Sequence, residues 1–328
     1  MTVRRRVLTM PAMILLVLVL MICAVPSRVF AEGGDTVTKS DWMDALVAAF
    51  ELGNDDIALF PEDFSSDSDA PATREFAAVT VNFFVGYELN QGLTYSFSDT
   101  EAVTDKNSAE FAVRKGLLTL IDGAFSPSTP ITSEEMADML PAAKLEWEQP
   151  YTMVLPDDET YARVAGFQAE ADGQGVRRIL YIPKKLGGRP VEYVDSNAFQ
   201  NNTDIITVNI PDTVIQIGSN AFNGCTGITK VSIPVDFHYT YSTHPFNNCT
   251  GVTEIRYREG QTGIMPDVSQ GSGSTYNNYT DRLEFSVRNT LEKVSFDEGI
   301  TRIGNGAYYF ARDTYIYLWP KLKTVELP

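Results

Sequence analysis

The chain has 328 residues, with 26 Lys and Arg against 43 Asp and Glu, for a net charge of −17. That length admits two ordinary domains. The acid excess excludes nucleic acid as a partner, because phosphate recognition needs basic patches. Two histidines and three cysteines leave too little for a disulfide scaffold or a histidine-based metal centre.

Residues 1–31 read as a secretory signal. Arg4, Arg5 and Arg6 precede an apolar run from Val7 to Val25, and Val29-Phe30-Ala31 is a small-residue cleavage site. The run is also long enough for an uncleaved membrane anchor. Cys23 follows Leu20-Met21-Ile22 in the outline of a lipoprotein signal, but Ile22 is too large for that site. Cleavage after Ala31 removes four arginines and takes the charge from −17 to −21 (−17 minus 4). With no other long apolar run, the mature chain is expected to be exported and to carry no membrane span.

Residues 32–150 carry 23 acids and 6 basic residues and read as helices. Ser40 is the expected N-cap of a helix through Trp42, Leu46 and Phe50, which ends at Gly53-Asn54. Thr73 caps a second helix through Phe76, Phe83 and Val85. A third runs near Asn107 to Leu118. A fourth opens at Thr132, where Glu135 completes a capping box. Asp63, Asp67 and Asp69 lack the glycine and terminal glutamate of a calcium loop, so they read as solvated.

Residues 151–190 are assigned as linker and N-terminal cap, with strands at 161–167 and 178–182. From 191 to 328 one phrase recurs. Val191 to Phe199 returns as Val214 to Phe222, and Phe222 returns as Phe246. Val208/Ile210, Val231/Ile233 and Ile255/Tyr257 keep the same beat. A period in this range with one short strand per repeat marks a leucine-rich-type solenoid, whose units bury their apolar faces only by stacking. Those pairs should face the core, and Thr207, Asn209, Lys230, Ser232, Glu254 and Arg256 should face out. Phe199, Phe222 and Phe246 should form a file, with Gly218 at a tight corner. Cys225 and Cys249, one repeat apart, form either a ladder of buried thiols, the favoured reading, or a disulfide.

Two stretches break the pattern, Asp236 to His244 and Gln261 to Asp281. Insertions of this kind emerge as loops, as binding faces or as tolerated excursions. Tyr239, Tyr241, Tyr276 and Tyr279 are the candidate ligand contacts on them. His238 and His244 lack neighbouring ligands, so no metal is expected. The pattern resumes at Leu291 to Tyr308 and Leu322 to Leu327, then stops where another repeat would begin; either the sequence is a fragment of a longer protein, the favoured reading, or Leu322 to Leu327 leaves an exposed strand edge.

The stretch from Ile210 to Pro234 resembles the BspA-like leucine-rich repeats of bacterial surface proteins, of the treponemal type. It matches their cycle at Ile210, Pro211, Val214, Ile217, Gly218, Ala221, Phe222, Cys225, Ile228, Val231, Ile233 and Pro234. The helical region is similar to S-layer homology modules. Phe97-Ser98-Asp99, Gly116-Leu117, Gly123-Ala124-Phe125-Ser126-Pro127 and Pro130-Ile131-Thr132 follow their order, and at most two copies are counted, 59 residues apart at Thr73 and Thr132. The expected fold is therefore mixed: an all-α S-layer-homology-like domain followed by a β-rich leucine-rich-repeat solenoid. The resemblances imply adhesion to protein or glycan ligands at the cell surface. They also imply attachment to a cell-wall polymer, with Arg74 as the candidate contact, although a strongly acidic domain suits an anionic polymer poorly.

No nucleophile–base pair and no phosphate loop stands out. The chain is read as a non-enzyme without cofactor. The alternatives are the non-catalytic front of a longer secreted enzyme, or a structural spacer.

Overall fold

The computed structural model describes residues 36–57, 59–156, 160–168, 173–236, 245–265, 287, 289–302 and 322–327. They fall into two compact units. One holds residues up to Pro150 and takes the chain back for 169–177; the other holds 151–168 and 178 onward. The signal-like segment lies outside the described residues.

The first unit is helical. Its helices are α1 (Lys39–Phe50), α2 (Asn54–Ile57), α3 (Glu62–Ser65), α4 (Arg74–Val85), α5 (Lys106–Arg114) and α6 (Ser133–Glu148). Thr38, rather than Ser40, caps α1, because its hydroxyl accepts from the Asp41 amide and Asp41 returns the bond, satisfying two otherwise orphan donors. Thr73 and Thr132 cap α4 and α6 in the same way, with the reciprocal acid present at Glu135. The buried faces meet around Phe50, whose ring lies 5.1 Å from Trp147 and 5.5 Å from Phe84. The buried Trp42 indole donates to Thr80 Oγ1 at 2.8 Å.

Strand β1 (Tyr87–Leu89) pairs antiparallel with β4 (Gly175–Arg177). Residues 175–177, which lie within the stretch assigned as linker and cap, thus complete the helical unit. Arg177 explains why. It is buried and donates to Val85 O at 3.0 Å and to Glu146 O at 3.3 Å, satisfying terminal carbonyls of α4 and α6.

The second unit is built of coils. One sheet joins, in parallel, β5 (Ile179–Tyr181), β8 (Thr207–Asn209), β10 (Lys230–Pro234), β11 (Glu254–Arg258), β12 (Lys293–Phe296) and β13 (Thr324–Glu326). Leu180, Val208, Val231, Ile255 and Val294 stand in one register row and are buried. A second sheet holds β2 (Tyr151–Val154), β3 (Ala162–Phe167), β6 (Lys185–Leu186), β7 (Arg189–Val194) and β9 (Gln216–Ile217). Here β3, β7 and β9 run parallel, while β2 lies antiparallel along β3. Within 151–190, the stretch assigned as linker and N-terminal cap, β3 and β5 pair in parallel with the coil that follows, and β2 lies along the outer edge of β3.

Between the sheets the phenylalanines stack in single file. Phe199 and Phe222 are 4.9 Å apart at 8°, and Phe222 and Phe246 are 4.7 Å apart at 4°. Phe167 of the first coil lies 6.1 Å from Phe199 but is tilted by 47°, so it flanks the file without stacking in it. Cys225 and Cys249 are free and buried. Each thiol donates to a carbonyl of the preceding coil, Phe199 O and Phe222 O, at 3.0 Å. Gly218 is required by close approach between coils: a Cβ there would collide with the Ser196 amide nitrogen.

Candidate functional site

Three chain entries converge in the helical unit. Val37, Ala72 and Ile131, all buried, close a ring of backbone hydrogen bonds. Ala72 N–H donates to Val37 O at 2.8 Å, Ile131 N–H to Ala72 O at 2.8 Å, and Val37 N–H to Ile131 O at 3.5 Å. Bridges between Thr38 and Pro71, Thr73 and Pro130, and Thr36 and Thr132 repeat the relation. Two of these entries, at Thr73 and Thr132, carry the repeated motif of the sequence. The third, at Thr38, shares with Thr132 only a threonine followed three residues later by an acid, and that was the signal available.

Arg74, the candidate wall-polymer contact, is corrected by its surroundings. It is 1% exposed. Its Nε donates to Phe125 O at 2.8 Å and its Nη1 to Glu135 Oε1 at 2.6 Å, while Nη2 donates to Thr119 O. The guanidinium also lies 5.5 Å from the Phe125 ring. Burial lowers its pKa and Glu135 opposes the shift. Nearby, desolvation pushes the Asp99 carboxyl up, but the Phe125 and Ser126 amides outweigh it and hold it below the usual range. Arg74 is thus a clasp between α4, α6 and the turn at Phe125. At the equivalent places stand Lys39, whose ammonium lies 5.1 Å from the Phe76 ring, and Ser133.

In the repeat unit the six inward residues assigned from sequence are all buried. On the outward face of the longer sheet, Lys230 pairs with Glu254 at 3.2 Å and Lys293 with Glu326 at 2.8 Å. Arg256 is held by both oxygens of Asp297, at 2.6 and 3.1 Å. The hydrogen bond to Glu326 is the main cause raising the Lys293 pKa. Asn209 and Ser232, assigned as outward, are only 7% and 5% exposed. They are short side chains set among longer ones.

The outward face of the second sheet carries Arg163, directly opposite Tyr193 on β7, with Gln216 of β9 on the other side of Tyr193. Tyr161 and Tyr193 have ring centres 4.8 Å apart. Tyr239, Tyr241, Tyr276, Tyr279, His238 and His244 lie outside the described residues. Among the described residues no group of three or more His, Cys, Asp or Glu is placed to hold a metal, and no helix is long and apolar enough to cross a membrane.

A ladder of short parallel strands, one per coil, with side chains of one kind filed inside, is the architecture of leucine-rich repeats. Residues 188–284 match the model of the BspA type leucine rich repeat region, in six copies. A leucine-rich repeat protein from Bacteroides capillosus is similar at 21% identity, over 45% of this chain and 94% of that one, with a TM-score of 0.29. The Treponema pallidum leucine rich repeat protein is similar at 18% identity, over 48% and 80%, with a TM-score of 0.32. A leucine rich cell surface protein from Faecalibacterium prausnitzii is 22% identical over 55% of this chain and 41% of its own length, with a TM-score of 0.24. Overlap at that level equates no residue of one with a functional residue of another. No curated protein matches the chain.

Proposed function

We propose that this is an exported bacterial cell-surface protein that binds macromolecules, protein or glycan, through its repeat unit. The supporting observation is the division between inside and outside within each coil. Inward positions repeat as Val, Ile and Phe, whereas one outward row reads Thr207, Lys230, Glu254, Lys293 at the same register. Constant inner residues hold a shape and variable outer ones select a partner. The test is binding of the full chain to immobilised extracellular-matrix proteins and a glycan array. Reversing the Lys230–Glu254 pair one residue at a time should change the set of partners; a chain that binds nothing on either array sinks the reading. Export is tested by the N-terminus of the secreted product, expected at Glu32.

A second role, wall attachment by the helical unit, is favoured by the three-entry ring, which adds a third S-layer-homology-like start to the two counted in the sequence. Lys39 replaces Arg74 as the cation to test. Purified wall polymer should retain the full chain and release the Lys39→Ala variant; equal retention of both removes Lys39 from the role.

A further inference from the structure

The outward face of the second sheet presents two tyrosines beside a fixed ion pair. The rings of Tyr161 and Tyr193 are 4.8 Å apart at 47°. The Arg163 guanidinium lies 5.3 Å from the centre of the Tyr193 ring. Asp195 holds it there, accepting from Nε at 2.7 Å and also from Nη2. The Arg163 and Asp195 side chains remain 38% and 25% exposed. Two groups beside this core are uncommitted among the described residues: Asp195 Oδ2 accepts no hydrogen bond, and neither does the Gln216 carboxamide donate or accept one. All five residues lie on β3, β7, β9 or their immediate ends, so the sheet sets their spacing before any ligand arrives.

We propose that Tyr161, Arg163, Tyr193, Asp195 and Gln216 form a binding site for a neutral saccharide. The proposal rests on the reading of the repeat unit as a binding element and names its ligand class and place. The physical argument has three parts. Aromatic rings at a surface offer an apolar body with a polar tip, which suits the mixed C–H and hydroxyl faces of a sugar ring. The open carboxylate oxygen accepts from hydroxyls, and the open carboxamide both donates and accepts. Arg163 and Asp195 cancel in charge, so in a chain of net charge −17 the patch favours an uncharged ligand over a polyanion. A protein partner would need about 800 Å² of contact on this side, far more than five half-buried residues present, whereas one or two sugar rings need no more than such a patch.

Isothermal titration calorimetry on the full chain, with chitohexaose, cellohexaose and mannohexaose as probes and heparin as the polyanion, tests the site. At least one neutral hexasaccharide should bind. Tyr161→Ala should weaken it by about tenfold or more, with the melting temperature unchanged. Should Tyr161→Ala lower the melting temperature, Gln216→Ala, which removes only an uncommitted carboxamide, decides the matter by a loss of about threefold or more. Affinity untouched by Gln216→Ala and by a folded Tyr161→Ala overturns the proposal. So does binding of heparin alone, or of none of the four. If matrix proteins bind while the hexasaccharides do not, this site falls and the wider reading of the repeat unit stands.

Discussion

Phe222 is the residue on which the stacked interior can be tested most directly. It is fully buried, with Phe199 on one face at 4.9 Å and Phe246 on the other at 4.7 Å. A ring of this size buries roughly 150–250 Å², and at about 25 cal/mol per Å² that is about 4–6 kcal/mol as an upper estimate. Core Phe→Ala substitutions cost about 3–5 kcal/mol, so Phe222→Ala should remove much of a total stability of about 5–15 kcal/mol. Phe222→Leu fills more of the space and should cost about 1–2 kcal/mol. The sharper quantity is coupling. Double-mutant cycles for Phe199 with Phe222, and for Phe222 with Phe246, should each return about 0.5–1.5 kcal/mol. The cycle for Phe199 with Phe246, which are separated by a whole ring, should return about zero within an error of roughly 0.3–0.5 kcal/mol. Urea unfolding followed by far-ultraviolet circular dichroism, with leucine as the replacement so that every variant stays folded, supplies the energies. Equal coupling in all three cycles would refute the single file.

Three further outcomes follow from the same geometry. Burial pushes the Cys225 thiol up to about 11 and that of Cys249 to about 12, so a thiol reagent at neutral pH should label neither until the unit unfolds; prompt labelling of the native chain would show an open interior. Burial raises Glu148 from 4.5 to about 7, with Lys144 opposing and Glu51 assisting. The folded state then holds this proton more tightly, so stability should fall as pH rises through the window from 4.5 to about 7, by up to about 3 kcal/mol. Glu148→Gln should flatten that slope, and an unchanged slope rejects the assignment. Arg74→Ala strands Glu135 and the carbonyls of Thr119 and Phe125, and should cost about 3–5 kcal/mol in unfolding of the helical unit followed by fluorescence of the buried Trp42 and Trp147; a loss under about 1 kcal/mol would mark the clasp as a surface pair.

The interior of the repeat unit was readable because a coil uses the same side chain at the same phase each time. Phe199 to Val208, Phe222 to Val231 and Phe246 to Ile255 are each nine residues (208−199, 231−222, 255−246). The first coil breaks that spacing, since Phe167 to Leu180 is thirteen (180−167). The extra length carries 169–177, the stretch that joins the helical unit. The interior position of Arg74 was not readable, since its acceptors at Thr119, Phe125 and Glu135 lie 45 to 61 residues away and no local pattern announces them. The tyrosine and arginine patch was equally silent. Tyr161 and Arg163 read simply as part of a strand, and only pairing with β7 and β9 shows what lies beside them.

The excursion at 169–177 has a consequence for how this molecule can be taken apart. A gene cut after Pro150 would deliver helices whose α4 and α6 ends had lost Arg177, and a second piece that opened on its own β2 but still carried β4, a strand that belongs with the helices. Neither half is a cassette. A dissection that keeps the helical fold has to carry Gly175–Arg177 along with the helices, or β1 loses its partner and the ends of α4 and α6 lose these bonds.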